Sequence, residues 1–169
     1  MTATGLGATI TTPTEREIHI VRIVNAPRER VWRCYTDPTL IPLWWGRGHQ
    51  LDIEHCDVQR GGRWRWVEHA PHGTFGFEGR YREVIAPERF VRSFEWDGMP
   101  AHVAIESVTL HDLGDGRTKI EITMQMHTPE ERDGFLNSGM QAGMDASFAH
   151  LDLALAQTQL APGSQRAPL

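Results

Sequence analysis

The chain has 169 residues, 40% of them hydrophobic, which is enough length and apolar content for one domain with a proper core. Its formal charge is −5, from 17 basic and 22 acidic side chains, with no Lys/Arg block of the kind that tracks phosphates, which argues against nucleic acid and anionic membrane surfaces as partners. No apolar run approaches the ~20 residues of a spanning helix, so no membrane insertion is expected.

Met1 to Thr14, rich in Thr, Gly and Ala without periodicity, reads as a loose tail, as does Ala161 onward. Between these tails, residues 15–160 are expected to form the single domain. Glu17 to Val24 is a first strand, β-branched at Ile18, Ile20, Val21, Ile23 and Val24 and ended by Asn25-Ala26-Pro27. Pro27 suits the first position of a helix through Thr36, which Asp37-Pro38 stops. A second short helix is expected over Thr39 to Trp45, ending at Gly46.

From Gln50 to His127 the pattern alternates with period two. The strand candidates are Gln50 to Asp57, Arg63 to His69, Thr74 to Val84, Arg89 to Trp96, His102 to His111 and Thr118 to His127, seven with the first. Their links are short and rich in Gly, Pro and Asp, which implies antiparallel pairing, because parallel crossovers need a dozen or more residues. Ile120, Ile122, Met124 and Met126 share one face of the last strand, with Lys119, Glu121, Thr123 and Gln125 on the other. Trp64 and Trp66 alternate with Arg63 and Arg65, and Phe75, Phe77 and Tyr81 share a face of the next strand. Gly76 and Gly79 are candidate bulges or bends.

Thr128 to about Gln157 closes the chain as an amphipathic helix. Steps of 100° place Leu136, Met140, Met144, Ser147, Phe148, Leu151, Ala154 and Leu155 on one side and Ser138, Gln141, Asp145 and Asp152 opposite. Thr128 is a candidate cap, Pro129 suits the first turn and Glu131 completes a capping box; Asn137-Ser138-Gly139 marks a restart near Ser138. One aromatic sheet face followed by one amphipathic helix makes an α+β sandwich in which the sheet curls around the helix.

That order, together with five local motifs, resembles a known family. Arg22-Ile23-Val24-Asn25-Ala26-Pro27 followed by Val31-Trp32, then Trp44-Trp45-Gly46, then Asp57-Val58-Gln59-Arg60-Gly61-Gly62-Arg63-Trp64 are similar to successive elements of the heat-shock-protein-90 ATPase activator homologues. Gly79-Arg80-Tyr81-Arg82-Glu83-Val84-Ile85-Ala86-Pro87-Glu88-Arg89 matches a fourth, and Gly139-Met140-Gln141-Ala142-Gly143 a fifth, with Met144 where Trp is usual. This family belongs to the START-like (SRPBCC, Bet v 1-like) superfamily. The resemblance covers about residues 15 to 157 and implies a helix-grip fold: a curved seven-stranded antiparallel sheet around a long C-terminal helix, with two short helices between strands 1 and 2. It also implies a cavity between sheet and helix.

Relatives on this fold bind lipids, act as cyclases or serve as co-chaperone modules, so function must be argued from the site. Residue type alone makes the aromatic and Met positions core; the resemblance turns the set into a cavity lining. The expected ligand-binding residues are Trp44, Trp64, Trp66, Phe77, Tyr81, Glu106, Met124, Met140, Met144 and Phe148. A buried Trp hides ~150–250 Å², worth about 4–6 kcal/mol at roughly 25 cal/mol per Å², so Trp32, Trp44, Trp45, Trp64, Trp66 and Trp96 are not expected all to face water. Alternation also places the ionisable Arg22, Glu68, Arg92, His102 and Glu106 toward the inside. Such groups orient a ligand or, in a second reading, move a proton.

His69-Ala70-Pro71-His72 has H-x-x-H spacing, but no further ligand pair accompanies it, and a polar hairpin turn explains it without a metal. No Rossmann fingerprint, phosphate-cradling Gly loop, G-x-S-x-G elbow or Cys/His nucleophile context is present, so no cofactor and no catalytic residue is expected. Arg60-Gly61-Gly62-Arg63 reads as a tight turn. The two cysteines, Cys34 and Cys56, lack C-x-x-C spacing and no secretory leader precedes them, which makes a reduced cytoplasmic setting the expectation. The preferred expectation is non-enzymatic binding of a small lipophilic molecule. The alternatives are a cyclase, aromatase or hydrolase using an inner Glu, His or Arg, and a module acting on the ATPase of a heat-shock-protein-90 homologue as chaperone partner. Open sheet edges also make a homodimer an expectation.

Overall fold

A computed structural model describes residues 7–160. Its elements are β1 (Thr9–Thr11), β2 (Glu17–Val24), α1 (Arg28–Thr36), a 3₁₀ turn (Ile41–Leu43), β3 (Gln50–Cys56), β4 (Arg63–Ala70), β5 (Gly73–Ile85), β6 (Arg89–Trp96), β7 (Ala104–Asp112), β8 (Thr118–Gln125), α2 (Pro129–Leu136) and α3 (Met140–Leu160). The strands form one antiparallel sheet in the order β1-β2-β8-β7-β6-β5-β4-β3.

The sheet has eight strands where seven were expected. The added strand, β1, falls within the expected N-terminal tail: Thr9 to Thr11 pair with Val21 to His19 along the free edge of β2. Backbone hydrogen bonds to an open edge form with any side chains, so a Thr-rich run without hydrophobic alternation can take this place. The expected C-terminal tail from Ala161, like residues 1–6, lies outside the described residues.

The second short helix is also reduced, to a 3₁₀ turn. Pro42 supplies no amide proton, and Asp37 Oδ1 accepts from both the amide (2.8 Å) and the hydroxyl (2.6 Å) of Thr39, so the backbone turns tightly before Ile41. Pro27 sits one residue earlier than expected, as the extended residue that caps α1. Asp57, His102 and His127 fall outside the strands to which their periodicity assigned them.

Period-two burial defines the inner face. Ile18, Ile20, Arg22 and Val24 of β2 are buried, as are Phe90, Arg92 and Phe94 of β6, Ala104, Glu106, Val108 and Leu110 of β7, and Ile120, Ile122 and Met124 of β8. The sheet bends at bulges between Ile53 and His55 on β3 and between Tyr81 and Glu83 on β5. Neither lies at Gly76 or Gly79. Gly79 has another cause: a Cβ there would run into the Ser93 carbonyl of the neighbouring strand.

The last segment is two helices. Thr128 Oγ1 accepts from the Glu131 amide at 3.1 Å, and Glu131 Oε2 accepts from the His127 amide at 2.8 Å, which fixes the start of α2. Gly139, with φ of 84°, is in the left-handed region that ends a helix, and α3 begins at the next residue. Phe148, Leu151 and Leu155 of α3 join the core with Ile18, Ile20 and Val31. Two polar ties hold the helix over that core: Arg22 Nη2 donates to Asp152 Oδ2 at 2.6 Å, and Arg30 Nη2 to the Leu155 carbonyl at 3.0 Å.

Candidate functional site: a cavity between sheet and helix

Toward the N-terminal end of α3 the helix and the sheet do not meet, leaving a cavity of about 280 Å³. Met140, Gly143, Met144, Ser147 and Phe148 supply the helical wall, and Phe77, Phe94, Trp96, Glu106, Ile122 and Met124 supply the sheet wall. Trp44, Trp45 and Arg47 close one side and Phe135 of α2 another. Exposed His72, Ser138 and Gly139 also belong to the lining, which places the mouth between the β4–β5 turn and the α2–α3 junction.

Of the ten residues expected to line such a cavity, seven do: Trp44, Phe77, Glu106, Met124, Met140, Met144 and Phe148. Trp64, Trp66 and Tyr81 do not. They share the inner face but are fully packed, with Trp64 and Trp66 ring centres 4.8 Å apart and Tyr81 set edge-on to Phe90. Parity fixed their face correctly; the gap to the helix, which decides between packing and lining, has no sequence signature.

Trp64 and Trp66 instead support Arg92. Its guanidinium carbon stands 4.0 Å from the Trp64 ring centre and 4.7 Å from that of Trp66, a cation–π arrangement strengthened by desolvation. Arg92 is 1% exposed, and its Nε donates to Glu106 Oε1 at 2.6 Å, directly across β6 and β7. Burial disfavours the Arg92 charge, and the facing Glu106 carboxylate together with Tyr81 more than offsets that, so the guanidinium stays protonated. Among the described residues Arg92 Nη1 makes no hydrogen bond. The Tyr35 hydroxyl of α1, also buried, has none either. Burial, with Glu106 adding to it, pushes the Tyr35 phenol far above its usual range and keeps it protonated.

A second ion pair stands at the mouth. Arg47 donates to Glu68 from Nε (3.0 Å to Oε1) and Nη2 (2.8 Å to Oε1, 2.9 Å to Oε2), and His49 Nδ1 lies 2.7 Å from Oε1. Glu68 is 1% exposed, and loss of these partners would leave a buried carboxylate unpaired. Arg47 takes φ of 56°, unusual for a residue with a side chain. Gly143 leaves room for it, since a Cβ there would stand 3.2 Å from Arg47 Nη1. The Ser147 hydroxyl donates to the Trp45 carbonyl at 3.2 Å, tying the same segment to α3.

Four of the five ionisable residues expected inside are buried: Arg22, Glu68, Arg92 and Glu106. His102 is not. It precedes β7, its side chain is 47% exposed, and its Nδ1 lies 2.7 Å from Glu131 Oε1. The H-x-x-H pair is split as well, with His69 Nε2 2.8 Å from Asp52 Oδ2 and His72 against Phe75. Among the described residues no three His, Cys, Asp or Glu side chains are grouped to hold a metal ion. No described helix is long and apolar enough to cross a membrane.

Sequence reading missed Tyr35, Arg47, Phe94 and Phe135 as cavity residues and left Trp45 and Trp96 between core and pocket. Phe94 and Trp96 were within reach of it, because both share the parity of Arg92 on β6. Tyr35, Arg47 and Phe135 come from helices and a loop whose approach to the sheet is tertiary.

Solved structures share this fold. A Rhodobacter sphaeroides protein has 28% identity and a TM-score of 0.81, the match covering 89% of this chain and 99% of that one. Ms6760 from Mycobacterium smegmatis has 21% identity and a TM-score of 0.79, covering 89% and 99%. CV1439 from Chromobacterium violaceum has 25% identity and a TM-score of 0.70, covering 82% and 96%. No curated protein matches the chain in sequence. The family model described as activator of Hsp90 ATPase homolog 1-like protein matches residues 25–156, and the chain, with its eight-stranded helix-grip sheet and C-terminal helix, belongs to that family.

Proposed function

We propose that the protein binds a small hydrophobic molecule, without transforming it, in the cavity between the sheet and α3. The observation that carries this reading is the cavity of about 280 Å³ walled by Phe77, Phe94, Met124, Met140, Met144 and Phe148. An apolar guest would gain roughly 25 cal/mol for each Å² it removes from water, and thioether walls adapt to irregular shapes. Both carboxylates of the lining, Glu68 and Glu106, are engaged by arginines. Charges held this way suit ligand orientation better than proton transfer, which needs a group free to change its protonation state.

Native mass spectrometry of gently purified protein tests the proposal. A bound species of small-molecule mass that dissociates on mild activation supports it; bare protein together with no uptake of any apolar dye overturns it. The family description motivates a second reading, action on the ATPase of a heat-shock-protein-90 homologue. That reading predicts a changed ATPase rate at micromolar protein, and a flat titration removes it.

A further inference from the structure

The Arg92–Glu106 pair leaves one carboxylate oxygen unused. Oε1 of Glu106 receives Arg92 Nε. Among the described residues no hydrogen bond reaches Oε2. Glu106 is 9% exposed and lines the cavity, on β7 opposite Met124 of β8. Its carboxylate therefore lines a mainly apolar chamber that has the Arg47–Glu68 pair at its mouth. An unsatisfied buried polar group costs about 1–3 kcal/mol, so a guest that donates to Oε2 gains over one that cannot.

On the reading that the cavity binds an apolar guest, we infer that the guest carries an uncharged hydroxyl group, phenolic or alcoholic, which donates to Glu106 Oε2. The charge count selects neutrality. Arg92 offsets Glu106 and Arg47 offsets Glu68, so neither an anionic nor a cationic ligand finds an unbalanced countercharge, and each would lose its hydration without recompense. The free acceptor selects a donor. A hydroxyl can donate to it, whereas an ether or ketone can only accept. Glu106 is thus a specificity-determining residue, with Trp64 and Trp66 setting its partner beneath the cavity wall.

Three probes of nearly equal shape test this: naphthol, methylnaphthalene and methoxynaphthalene, substituted at the same ring carbon and titrated against a displaceable apolar dye. For the natural chain naphthol should bind about tenfold tighter than methylnaphthalene, the value of one net hydrogen bond. Methoxynaphthalene should bind no better than methylnaphthalene. In the paired variant Arg92→Met with Glu106→Leu, which removes both charges together, naphthol and methylnaphthalene should become equal. Equal affinities of these two for the natural chain overturn the inference and leave the cavity reading standing. Methoxynaphthalene binding as tightly as naphthol overturns it too, because the preference would then come from a protein donor. Failure of all three to displace the dye removes the cavity reading along with it. The comparison on the natural chain decides the matter even if the paired variant does not fold.

Discussion

Arg92 Nε donates to Glu106 Oε1 at 2.6 Å between directly opposed residues of β6 and β7, while the same guanidinium rests on the Trp64 ring at 4.0 Å. The cavity wall is therefore built on a buried charge pair that an aromatic layer holds in place.

Removing one member of that pair should be far worse than removing both. Arg92→Met strands Glu106 against an apolar wall and is expected to cost about 3–5 kcal/mol. Arg92→Met combined with Glu106→Leu should recover most of that loss. Urea unfolding of the two single variants and the double variant measures the coupling directly; additive losses would mean that the pair is hydrated in solution.

Met144 faces the cavity from α3, at the position where the resembling family usually has Trp. Met144→Trp should fill part of the chamber and lower apolar-dye affinity about tenfold or more, since one misplaced methylene alone is worth about 1–3 kcal/mol. The fold should be retained, because the side chain replaces empty space. Unchanged uptake would show that the guest sits elsewhere.

Cys34 is fully buried in α1, and burial pushes its thiol up to about 11. Only about a thousandth of it is thiolate at pH 8, and thiolate is the reactive form. Alkylation by iodoacetamide at pH 8 should therefore track unfolding and be suppressed by any ligand that stabilises the native state. Labelling of Cys34 as fast as a free thiol would contradict its placement.

Hydrogen bonding by His102, with further help from the His127 amide, holds Glu131 below the ordinary glutamate range. A carboxyl with a depressed folded-state value stabilises fully above its unfolded value and loses that contribution as pH falls through the folded one. The start of α2 should accordingly loosen in acid, seen as a lower hydrogen-exchange protection factor at the His127 amide, and Glu131→Gln should flatten that pH dependence. The group is near solvent, so the effect should be local.

The strand faces were legible because one side of the sheet is buried: Ile120, Ile122 and Met124 alternate with Lys119, Glu121 and Thr123, and a one-residue slip would have reversed them all. The restart of the last helix was legible in Gly139. Less of the site could be read. Whether Phe77 lines a cavity while Trp64 packs beneath it depends on how far α3 stands from the sheet, a distance set partly by Arg22 with Asp152 and by Ser147 with Trp45. These pairs are more than a hundred residues apart in sequence. Arg47 carried no local signal either, since its left-handed backbone and its grip on Glu68 both arise from the loop's docking against Gly143.

Fluorescence titration of an apolar dye, repeated across temperature, tests the central claim most directly. A cavity between the sheet and α3 predicts saturable one-to-one binding with a negative heat-capacity change, competed by small apolar molecules and weakened in Met144→Trp. A fluorescence response that never saturates, or one indifferent to Met144→Trp and to competitors, would contradict it.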